Sequence, residues 1–157
     1  MRPNISAHFS GSKVNAADGR GAYNGGVNGQ TGTGLQAVTA EAPNVDLGGW
    51  MVVELGSNNI GFASNERIWF IMQVVNAVSN DRCIAWVVPW VAFQDTNAQA
   101  WGADLDAWLP NQPCYAVIHW EDVAPLHPEW FLDLVHPNEA GKEALACMIG
   151  TAIGRPC

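Results

Sequence analysis

Three short apolar runs, Trp50 to Leu55, Ile84 to Val88 and Tyr115 to Ile118, constrain this chain more than any other feature, because stretches with helical spacing separate them. Apolar runs of that length, with little polar alternation, are strands buried on both faces. Helices between such strands make parallel crossovers, so the pattern predicts a three-layer α/β domain on a parallel sheet. Leu35 to Glu41 reads as a helix ended by Pro43. Ser64 is placed as the N-cap of a helix in which Arg67 to Ser79 puts Ile68, Ile71, Val75 and Val78 on one face, with Val74 beside them. Thr96 is placed as the cap of a helix that reaches Leu109 and stops at Pro110. Glu139 to Ile153 closes the chain, with Leu145, Met148, Ile149 and Ala152 on one face. Before the first long run, Lys13 to Ala16 reads as a short strand leading into a Gly- and Asn-rich loop from Asp18 to Gly34.

No linker or repeat divides the 157 residues, so residues 1–157 are read as a single domain. In a doubly wound sheet the ligand site lies beyond the carboxyl ends of the strands. That directs attention to the loops after Ala16, Leu55, Val88 and Ile118.

Charge narrows the partners. A formal net charge of −8, with seven Lys and Arg scattered singly, leaves no basic stripe to displace counterions from a phosphate backbone, so no nucleic acid is expected. No apolar run approaches the roughly 20 residues of a spanning helix, so no membrane span is expected. Met1 to Ser12 is polar, without the apolar core of a signal peptide.

Cys83, Cys114, Cys147 and Cys157 show no C-x-x-C spacing, which argues against zinc and thioredoxin chemistry. Cys83 and Cys114 each open an apolar run, so adjacent parallel strands in register make their thiols neighbours. A tail ending in Cys157 is long enough to fold back to Cys147 in the closing helix. Two disulfides and four buried free thiols both remain open at this level. His119, His127 and Asp122, taken with His136, lack the i, i+4 or short-spaced pairing of known metal sites, so no metal is expected. Trp86, Trp90, Trp120 and Trp130 cluster at strand ends, where they serve packing or line an acyl or sugar pocket.

Two blocks carry chemistry. Gly56-Ser57-Asn58-Asn59 follows the first long run, and Asp133-Leu134-Val135-His136-Pro137, then Ala140-Gly141, opens the closing helix. Together these resemble the third and fifth blocks of the SGNH (GDSL-like) hydrolases, Gly-x-Asn-Asp and Asp-x-x-His-Pro, with Asn59 where the family has Asp. The resemblance spans nearly the whole chain and implies a flavodoxin-like three-layer fold, ester hydrolysis or acyl transfer by a serine nucleophile, and no cofactor. His136 becomes the base that takes the serine proton, and Asp133 holds its imidazole in one tautomer. Asn58 donates to the developing oxyanion, a contribution worth about 3 kcal/mol of barrier. The loop Gly19-Arg20-Gly21 stands where the second block offers a backbone N–H to the same oxyanion. Gly19 is favoured, with Gly21 open.

The first block, Gly-Asp-Ser, is not found. Pro3 to Phe9 reads as the helix that follows it and Lys13 to Ala16 as the second strand, so the first, central strand and its serine are expected upstream of Met1. Ser6, Ser10, Ser12 and Ser57 lack the preceding strand and aspartate that aim a nucleophile. The implied protein is a secreted esterase or carbohydrate O-acyl esterase acting on a small-molecule or glycan ester. Two competing readings are a non-catalytic acyl- or glycan-binding relic and a structural domain completed by a partner's strand.

Overall fold

The computed structural model describes residues 33–78, 80–155 and 157. The segments read as Pro3 to Phe9 helix and Lys13 to Ala16 strand lie outside the described residues, with the loop bearing Gly19 and Gly21 and with Ser6, Ser10 and Ser12. Within them the helices and strands run α1 (Gly34–Glu41), β1 (Trp50–Val53), α2 (Ser64–Val78), β2 (Cys83–Val87), α3 (Asp95–Trp108), β3 (Tyr115–Ile118), α4 (Trp120–Val123) and α5 (Glu139–Ala152). The three strands form a parallel sheet in the order β1-β2-β3, with Trp50 opposite Cys83 and Ile84 opposite Tyr115.

Period-two alternation sorts the sheet's side chains into two layers. Ile84, Trp86 and Val88 face α1, α2 and α3 and pack with Phe70, Ile71, Val74, Trp101 and Leu105. Ala85, Val87 and Ile118 face the other way, toward Leu145 and Ile149 of α5 and the indoles of Trp90 and Trp120. The architecture is the expected α/β/α arrangement.

Local readings needed adjustment where long-range contacts decide. β1 ends at Val53, and only that residue of the strand is fully buried; β2 is buried along its whole length. The buried face of α2 is turned toward Arg67, Phe70, Ile71, Val74 and Val78, leaving Ile68 and Val75 half-buried. Two contacts explain the turn. Phe70 meets Trp86 edge-on at 5.6 Å, and Arg67 donates from Nε to Asp104 of α3 at 2.6 Å and from Nη1 to the carbonyl of Phe62. Ser64 is the first helical residue, not the cap, and Glu66 reaches back to the N–H of Ala63 at 3.0 Å. Thr96 lies inside α3, whose N-cap is Gln94; Asp95 in the first turn is held by the indole N–H of Trp90 at 2.9 Å. Ala152 is exposed, and Gly141, Ala146 and Gly150 complete the buried face of α5.

Both cysteine pairs are disulfides. Cys83 and Cys114 sit where β2 and β3 begin, with Cα atoms 4.6 Å apart, as the strand register requires. Cys147 of α5 is bonded to Cys157 across a Cα separation of 5.5 Å, so the tail does fold back on the helix. Among the described residues no helix is long and apolar enough to cross a membrane.

Candidate functional site

The segment from Phe131 to Pro137 is a strap closed on itself: Phe131 and Pro137 form an antiparallel bridge, and the N–H of Leu132 donates to the carbonyl of His136 at 2.8 Å. Asp133 organises its interior. Its Oδ1 accepts the backbone N–H groups of Val135 at 2.8 Å and His136 at 2.7 Å, while Oδ2 lies 2.7 Å from His136 Nδ1. The His136 contact, followed by those two backbone donors, brings the Asp133 carboxyl down to about 2. An ionised carboxylate only accepts, so Nδ1 carries the proton toward Asp133 and Nε2 is left to accept. That is the tautomer a base needs, and His136 is more than half exposed.

The strap is fixed where α5 starts. Asn138 is the N-cap: its Oδ1 accepts the N–H of Gly141 at 3.1 Å, its Nδ2 donates to the carbonyl of Glu129 at 2.7 Å, and its own N–H donates to the carbonyl of Trp130 at 2.7 Å. Gly141 is required by space, since a Cβ there would fall 2.5 Å from the Trp130 carbonyl oxygen and 2.9 Å from Pro137 Cβ.

Asn58 stands in a 3₁₀ turn, Ser57–Asn59, after β1, and its residue is exposed. The turn begins at Gly56 with φ 121, a conformation L side chains rarely adopt, and a Cβ would also come within 2.9 Å of Pro89 and 3.2 Å of Trp101. Pro89 belongs to the loop after β2. The same loop reaches the strap, because the N–H of Ala92 donates to the carbonyl of Leu134 at 2.9 Å and Trp90 packs on Phe131 at 4.7 Å. Asp133 and His136 are therefore in direct contact, while Asn58 occupies a separate loop at the same carboxyl end of the sheet. Gly19 lies outside the described residues.

Three features here were not legible beforehand. Phe93, in the loop that bonds the strap, has φ 66 and is 85% exposed. A bulky residue in the left-handed region costs about 1 to 3 kcal/mol, a burden typical of functional loops. Leu132 and Leu134 of the strap, which Ala92 hydrogen-bonds at the Leu134 carbonyl, are exposed as well. The other histidines also pair at i, i+2: His127 with Glu129 at 2.8 Å, which lowers the Glu129 carboxyl, and His119 with Glu121 at 2.9 Å. His127 stacks on Trp130 at 3.8 Å, and Trp130 stacks on Trp120. Of the tryptophans singled out from sequence, Trp86, Trp90 and Trp120 are buried packing residues and Trp130 is half-buried.

The architecture has a known counterpart. The chain is similar to the crystal structure of a member of the lipolytic protein G-D-S-L family from Veillonella parvula DSM 2008, with a TM-score of 0.64 over 97% of this chain and 94% of that one. The chain has the fold of the G-D-S-L hydrolases. At 17% sequence identity the likeness is one of fold. No protein-family model and no curated protein matches the sequence.

Proposed function

We propose that the protein is an SGNH-type ester hydrolase in which His136 is the general base, Asp133 its orienting partner, and Asn58 with Gly19 the oxyanion donors. The observation that carries this reading is the Asp133–His136 contact of 2.7 Å, locked by two backbone N–H groups at the carboxyl end of the sheet. A serine hydroxyl attacks the ester carbonyl and passes its proton to Nε2 of His136. Asp133 stabilises the imidazolium that forms. The proton then goes to the departing alcohol, and water repeats the cycle on the acyl-enzyme.

Among the described residues none hydrogen-bonds Nε2 of His136. The reading takes the serine from a Gly-Asp-Ser block and not from Ser57. The two disulfides favour an oxidising compartment and hence a secreted enzyme. The exposed Phe93, Leu132 and Leu134 favour an ester with an apolar portion.

Hydrolysis of p-nitrophenyl acetate tests the reading. The 157-residue chain should turn over no faster than its His136→Ala variant, whereas the chain extended at Met1 by a strand ending in Gly-Asp-Ser should gain activity. His136→Ala should then remove roughly a thousandfold or more of it. His136-dependent turnover of the unextended chain that Ser12→Ala abolishes would make Ser12 the nucleophile. An extended chain that folds, binds acyl ligands and hydrolyses nothing would leave a binding module in place of an enzyme.

A further inference from the structure

His119 follows β3 as the N-cap of α4, and Glu121 and Asp122 lie in the first turn of that helix, so a strand-to-helix corner brings three potential ligands together. A nitrogen of His119 and one oxygen from each carboxylate all lie within 4.8 Å of one another. Two carboxylates near a histidine are by themselves an ordinary surface feature, but Glu121 is not on the surface. Its side chain is 2% exposed, Oε1 lies 2.9 Å from His119 Nδ1, and Oε2 is buried with no hydrogen-bond partner. A buried carboxylate with one oxygen unanswered is costly unless a further donor or a cation completes it.

The neighbouring helix is shaped around this group. At Gly102 of α3 a Cβ would sit 2.4 Å from Glu121 Oε1, so a side chain there would push the carboxylate from its place. One turn earlier on α3, Gln99 donates from Nε2 to Asp122 Oδ1 at 2.9 Å. Asp106 lies 3.3 Å from His119 Nε2, on the far side of the ring from Glu121. A carboxylate behind a histidine holds the proton on the rear nitrogen and frees the front one to ligate.

We propose that His119, Glu121 and Asp122 bind a divalent cation of the zinc class, with His119 Nδ1 and one oxygen of each carboxylate as ligands and Asp106 and Gln99 as the outer supports. The mixed nitrogen and oxygen set suits zinc and its first-row neighbours, whereas magnesium and calcium prefer oxygen alone. Zinc bonds of about 2.0 to 2.2 Å place tetrahedral ligands roughly 3.3 Å apart. The exposed Asp122 is the ligand free to swing inward and close that difference. Such an ion clamps α3 to the β3–α4 corner with residues distinct from Asp133 and His136, so the site stands or falls independently of the esterase reading. The departure from the sequence expectation of no metal has a simple cause. Spacing alone shows neither the burial of Glu121 nor the approach of α3.

Calorimetric titration of the chelator-treated full chain with Zn2+ tests this, with the thermal unfolding midpoint as a second readout. One ion per chain and a raised midpoint are expected. Asp122→Asn, at an exposed position, and His119→Ala, at a half-buried one, should each weaken binding at least about tenfold, and Asp106→Asn by about ten- to a hundredfold. His136→Ala and His127→Ala should leave it unchanged. Absence of a binding isotherm would overturn the proposal, as would binding that survives His119→Ala or is lost with His136→Ala. Binding of Mg2+ or Ca2+ in preference to Zn2+ would overturn the role of His119.

Discussion

The two ends of the parallel sheet are built to opposite standards. At the amino end, Cys83 and Cys114 are covalently joined, and the surrounding turns are tied by Gly48 N–H to the carbonyl of Asp81 at 2.8 Å, Arg82 Nε to that of Val45 at 2.8 Å, and Gln112 Nε2 to that of Arg82 at 2.9 Å. At the carboxyl end the same strands lead to Gly56 with a positive φ, a left-handed Phe93, an exposed His136 and the half-answered carboxylate of Glu121. One end holds the fold together and the other carries strain and unfilled valence. This is how a sheet supports a site: stability gathered where no ligand binds offsets unfavourable geometry where one does.

The largest effect should come from the amino end. Replacing Cys83 and Cys114 together with alanine opens a loop with a sequence separation of 31. Denaturant unfolding should show a loss of about 3 kcal/mol. The Asp133–His136 contact should persist, as read from the histidine ring resonances. If those resonances move, the two ends are not independent.

At the other end, Gly141→Ala should destabilise by about 2 kcal/mol, because the new methyl group collides with the Trp130 carbonyl and Pro137. It should also disturb the strap, unlike the cysteine pair. A variant equally stable, with an unchanged His136 environment, would show that the strap is looser than its contacts imply.

Phe93→Gly should act in the opposite direction. Relief of its left-handed backbone should raise stability by about 1 kcal/mol, while an esterase-competent form should lose preference for longer p-nitrophenyl acyl esters over the acetate. Gain of stability without a change in chain-length preference would confine Phe93 to a structural role.

The smallest effect is a pH dependence. The folded Asp133 carboxyl, at about 2, titrates below its ordinary value of 3.8, so its contribution to stability is present above about pH 4 and lost as pH falls toward 2. Comparing unfolding of the native chain with Asp133→Asn across that interval should show the steeper acid loss in the native chain. Parallel profiles would mean that the contact persists in neither state or equally in both.

The parts of this molecule that sequence alone determined are those governed by near neighbours or by simple period. β3 runs from Tyr115 to Ile118 as read, β2 differs from its reading by one residue at each end, and the shared register of Cys83 and Cys114 follows from two apolar runs starting together. Asp133 and His136 were legible as a pair because three residues of chain suffice to close their contact. Tertiary structure decided what depends on distant partners. Arg67 becomes buried because Asp104 meets it from α3, which turns α2 away from the face its apolar spacing proposed. Gly56, Gly102 and Gly141 look alike as letters, and only the neighbours a Cβ would strike show why each is glycine. Glu121 reads as one more surface acid until α3 closes over it, since burial is a property of the packed layers and not of the residue's place in the chain.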